Sequence, residues 1–141
     1  MAQTTTLVPE APAAPAGPAR PTDTRLSPTY AAVIGLGWFV GMWVMAALEP
    51  VPADAASHGA LFQALSIVVT GLLLGTVGAA ALRLRAAAVL GTVLGVITLG
   101  GVVECPVSGH HVQLGLWWAA QLAIAGALLA VSAAGLRRRK V

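Results

Sequence analysis

The sequence is short of charge. Only 9% of its 141 residues are Asp, Glu, Lys or Arg, while 57% are hydrophobic and mean hydropathy is +0.84. A soluble domain of this size covers itself with charged side chains at roughly a quarter of its positions. Lipid, not water, must therefore be the solvent for most of this surface. A single cysteine excludes an internal disulfide and a Cys-x-x-Cys redox pair, and leaves only an intermolecular bridge open. No ionisable residue falls in the middle of a long apolar run, which removes the coupling charge that an ion-driven transporter keeps in mid-membrane. No histidine lies deep enough to be an axial haem ligand. Glycine-rich nucleotide loops and zinc-ribbon spacings are also missing.

What remains is apolar length. Runs of about twenty residues, enough for an α-helix to cross roughly 30 Å of hydrocarbon, recur along the chain. They predict helices over about residues 30–48, 59–82, 86–103 and 112–136. Glu49-Pro50-Val51-Pro52 stops the first, because two prolines cannot continue a helix. Short connections make successive helices antiparallel neighbours. The expected fold is an all-α integral membrane protein, a four-transmembrane-helix antiparallel bundle over residues 29–136.

Residues 1–28, with Pro9, Pro12, Pro15, Pro18, Pro21 and Pro28, read as a disordered Pro/Ala-rich arm without a core. The arm holds no signal-peptide h-region. A cleavage site could be drawn at Ala53-Asp54-Ala55, but the run before it is too long for an h-region, so that run is expected to be retained. Residues 137–141 form a basic tail. Every Lys and Arg falls in the arm, in Arg83-Leu84-Arg85 or in the tail. The positive-inside rule then puts both termini in the cytoplasm of a bacterial-type plasma membrane. Headgroup contact accounts for the net charge of +3, so no nucleic-acid partner is called for.

Small residues four apart, Gly37/Gly41, Gly71/Gly75, Gly91/Gly95, Ala119/Ala123 and Gly126/Ala130, would let helix backbones approach closely. Gln63, Ser66 and Thr70 form a polar stripe, expected to hydrogen-bond between helices. Each hairpin also reads helix, Glu, Pro-Val, Ser, His, then a helix with one Gln (Gln63, Gln121). An internal duplication would leave that order.

The chemistry-bearing residues gather between helices, in Glu104-Cys105-Pro106-Val107-Ser108-Gly109-His110-His111 and in Glu49 to His58. Glu49 and Glu104 would sit at the negative ends of helices, and His58, His110 and His111 at positive ends. Both placements oppose the helix dipole, by about 0.3–1 kcal/mol each where exposed. A Glu–His hydrogen bond would relieve the two together. One reading is a copper or zinc site with His58, Cys105, His110 and His111 as ligands and Glu104 or Glu49 as ligand or orienting partner. Met42 and Met45 could add thioethers. The simpler reading is a polar rim, with Ser108 capping a helix and the methionines packing. As a nucleophile Cys105 has no Asp or Asn nearby to complete a set with His, and the helix end disfavours its thiolate.

The function expected from all this is non-enzymatic. The chain reads as an accessory or assembly subunit whose partners are the lipid bilayer and other membrane protein subunits, or further copies of itself. An outward-facing transition-metal-binding protein is the alternative, and a Cys/His thiol-reactive sensor or enzyme a third.

Overall fold

The computed structural model describes residues 25–50, 60–107 and 115–137, without the side chains of residues 60–62 and 105–107. It holds four helices: α1 (Pro28–Leu48), α2 (Ala60–Ala81), α3 (Ala86–Val107) and α4 (Leu116–Arg137). At about 1.5 Å per residue each is roughly 32 Å long, the thickness of a bilayer's hydrocarbon core. All four are apolar enough to cross it. The protein is an all-α, multi-pass four-helix bundle. Successive helices pack against one another, α4 returns to α1, α1 also touches α3, and α2 and α4 do not meet. Arg25, Arg83, Arg85 and Arg137 mark one end of the bundle, and Glu49 and Glu104 the other. These are called the basic and acidic ends below.

Local chemistry explains the helix boundaries. α1 opens two residues before the expected Tyr30, because Ser27 caps it by accepting from the Tyr30 N–H at 3.3 Å and Pro28 takes the first turn. Leu26 just ahead is buried, its N–H donating to the Arg83 carbonyl at 2.7 Å while Arg83 Nε donates to the Leu26 carbonyl at 3.2 Å. α2 ends in a Schellman turn, with Leu84 N–H donating to the Ala79 carbonyl and Arg83 N–H to that of Ala80, both at 2.8 Å. Arg83 occupies the left-handed position of this turn at φ 58°, where glycine is the usual residue and any other costs about 1 kcal/mol.

α3 runs on to Val107, past the expected end at Val103. The reason is visible in its hydrogen bonds. Pro106 has no N–H for the Val102 carbonyl one turn back. Trp118 of α4 supplies the missing donor, with its Nε1 2.8 Å from that oxygen. The helix therefore passes through its proline without leaving a bare carbonyl in the bundle.

The tightest packing lies towards the basic end. Trp38, Ile34, Leu94, Thr76 and Ser132 are the largest fully buried side chains. Trp38 Nε1 donates to Ser132 Oγ at 3.0 Å, and Tyr30 Oη donates to the Val131 carbonyl, both bonds tying α1 to α4. Small-residue pairs serve unequally. A Cβ on Gly91 would lie 2.6 Å from Ser132 Oγ, one on Gly95 2.9 Å from Leu129 Cβ, and one on Gly41 2.6 Å from Leu128 Cδ2's sister methyl Cδ1. Gly71 and Gly126 have nothing within 4 Å, and Ala119, Ala123 and Ala130 are exposed. The α1 and α3 pairs pack the bundle, while those of α4 look outward.

Candidate functional site

The acidic end is where the sequence places its chemistry, and α4 organises what is described of it. Its first turns carry Trp118 and Gln121, one helical turn apart and so on one face. Trp118 holds the last turn of α3 through the Val102 carbonyl, and Gln121 Nε2 donates to the Met45 carbonyl in the last turn of α1 at 2.9 Å. Gln121 and Met45 are both buried. One α4 face thus fastens the two helix ends that bear the carboxylates. Glu49 caps α1 in extended conformation (φ −73°, ψ 123°) and Glu104 lies on the last turn of α3, both exposed.

The other candidates divide as follows. His58, His110 and His111 lie outside the described residues. Cys105 is on the final turn of α3, with its side chain outside the description. Glu104 and Cys105 are successive backbone positions of α3, about 100° apart around its axis. Met45 is buried and Met42 packs against the core, the role that the simpler reading gives them. Among the described residues no group of three or more His, Cys, Asp or Glu comes together.

The sequence pattern marks Gln121 only as part of a repeat, and the bonds of Gln121, Trp38 and Ser132 emerge from the structure. A signal for each was present. A tryptophan in the middle of a span needs an acceptor for its N–H, and a proline near a helix end leaves a carbonyl that something else must satisfy. Gln63 and Gln121 also act differently: Gln121 is buried between helices, whereas Gln63 is exposed.

The polar stripe of α2 departs most from expectation. Every residue from Gln63 to Val68 is exposed, as are Thr70 and Gly71. α2 packs through its other half, where a Gly35 Cβ would lie 3.0 Å from Ala80 Cβ and a Gly75 Cβ 3.4 Å from Leu90. Only 17% of its span is buried, against 22% for α4 and 28% for α1 and α3, and its exposed run lies in the acidic half. Gln63, Ser66 and Thr70 fall within about 60° of one another around the axis. Thr76 and Thr92, by contrast, return their hydroxyls to their own helix, donating to the Leu72 and Ala88 carbonyls at 2.7 Å. Comparisons with protein-family models, with curated proteins and with solved structures give no match to this chain.

Proposed function

We propose that the protein is a small accessory or assembly subunit whose α2 docks, by its acidic half, against a helix of a larger membrane complex. The observation that carries this reading is the exposed stripe of Gln63, Ser66 and Thr70. Polar side chains turned towards hydrocarbon are unfavourable, and a neighbouring helix that bonds them gains about 0.6–2 kcal/mol each. The bundle's own helices leave that role open. The protein sits in a bacterial-type plasma membrane with both termini cytoplasmic, since Arg25, Arg83, Arg85 and Arg137 share one end. Extraction in mild detergent followed by native electrophoresis tests the assignment. A complex larger than the monomer is expected, and Gln63→Leu/Ser66→Ala/Thr70→Val should release the free chain. Wild-type protein migrating only as monomer refutes it.

A second reading is a copper or zinc site at the acidic rim, using His58, Cys105, His110 and His111 with Glu104 or Glu49. The joining of the α1 and α3 ends by Gln121 and Trp118 favours it, because it brings two carboxylate-bearing ends onto one α4 face. Metal content of the purified protein beside His110→Ala/His111→Ala decides the matter. Equal, near-zero metal in both ends this reading.

A further inference from the structure

The basic end carries a different feature, a furrow between α1 and α2 of about 520 Å³. Its floor is the close approach of Gly35 to Ala80, where an added Cβ would lie 3.0 Å from its neighbour. Small side chains at the crossing and larger ones beside it, Leu36, Phe39 and Val77, shape an apolar slot. From Pro28 to Phe39 it follows α1 for about 17 Å, the depth of one leaflet's hydrocarbon. Arg83 stands among its lining residues, at the membrane edge.

Arg83 is an unexpected residue to find there. It holds a left-handed backbone position that glycine fills without strain. Its Nε is committed to the Leu26 carbonyl, which fixes the guanidinium, and among the described residues its Nη groups have no partner. Arg25, Arg85 and Arg137 share its end of the bundle, while Glu49 and Glu104 lie at the other. A slot of acyl-chain character ending at an arginine is complementary to a phospholipid, and the surrounding positive field selects an anionic one.

We propose that this furrow binds one anionic phospholipid, an acyl chain lying between α1 and α2 and the headgroup phosphate held by Arg83. The site is separate from the α2 stripe and needs no partner protein. Full-length protein in nanodiscs of phosphatidylcholine doped with phosphatidylglycerol, analysed by native mass spectrometry, tests it. Lipid in both leaflets makes the assay independent of orientation. The wild type should retain phosphatidylglycerol over phosphatidylcholine by roughly fivefold or more, the factor expected from one arginine facing a headgroup of net negative charge, since choline cancels the phosphate charge in the other lipid. Arg83→Gly removes the charge and the bond to the Leu26 carbonyl but suits the left-handed turn, so the two effects offset and the protein should stay folded yet lose the preference. Ala81→Phe, at an exposed lining position, should fill the slot and abolish retention. Arg137→Gln, on α4 and out of contact with α2, only thins the surrounding field and should lower the preference far less than Arg83→Gly. Equal retention of the two lipids by wild type overturns the proposal, as does an Arg83→Gly protein that keeps the preference. Retention surviving Ala81→Phe, or an equal loss in Arg137→Gln, also overturns it. So does a lipid-free dimer, which would give the furrow to a second copy of the chain.

Discussion

Replacing Gly91 by alanine adds one methyl group where α1, α3 and α4 meet. Built on the existing backbone, its Cβ lies 2.6 Å from Ser132 Oγ, 2.9 Å from Trp38 Nε1 and 3.2 Å from Ser132 Cβ. None of these atoms can step aside cheaply, because Trp38 and Ser132 are fully buried and bonded to each other at 3.0 Å. Overpacking of this kind costs about 1–3 kcal/mol. Forcing the indole from the hydroxyl adds about 0.6–1.7 kcal/mol, so Gly91→Ala should destabilise the bundle by about 2–5 kcal/mol. The same substitution at Gly100 or Gly71 meets nothing within 4 Å and gains helix propensity, leaving stability unchanged or raised by up to about 1 kcal/mol. The measurement is reversible unfolding in mixed micelles of increasing dodecyl sulfate fraction, followed by tryptophan emission. Gly91→Ala and Gly100→Ala proteins unfolding at the same fraction would refute the packing argument.

The Trp118 bond to Val102 predicts a conditional effect. Trp118→Phe should cost about 0.6–1.7 kcal/mol by baring a carbonyl, and much less in a Pro106→Ala background, where a backbone N–H can serve it; an equal penalty in both backgrounds would count against the assignment. Ser132→Ala leaves the buried Trp38 N–H without an acceptor and should lower stability by about 1–3 kcal/mol. Trp38→Phe on top of Ser132→Ala should then cost less than it does alone, in the same unfolding assay.

The spans were legible because hydrocarbon leaves a long and plain record: length, apolarity and the absence of charge suffice to place α1 to α4. Helix ends were harder. Pro28 reads as part of an arm until Ser27 is seen capping the helix, and Pro106 reads as a stop until Trp118 is seen serving Val102. Both depend on a partner that one-dimensional spacing does not supply. Helix faces were the least legible. In helices of Ala, Gly, Leu and Val the apolar signal is nearly uniform around the axis, so nothing in the pattern says that Gly91 faces Ser132 while a Cβ on Gly126 would meet open space. Gln63 and Gln121 show the same difficulty, one exposed and the other buried. Of the predicted acidic-end residues, Glu49 and Glu104 are placed, Cys105 is placed by its backbone, and the histidines lie in segments outside the description.

Tyr30, Trp38, Trp118 and Gln121 each make a side-chain hydrogen bond from one helix to another, and each of these bonds has one end on α4. That helix is made after the helices it fastens. Until it enters the bilayer, the Trp38 indole and the proline-orphaned Val102 carbonyl lack the groups that α4 brings them. The final tightening of the bundle therefore waits for α4, and a chain halted before Leu116 should hold α1, α2 and α3 only by their looser mutual packing.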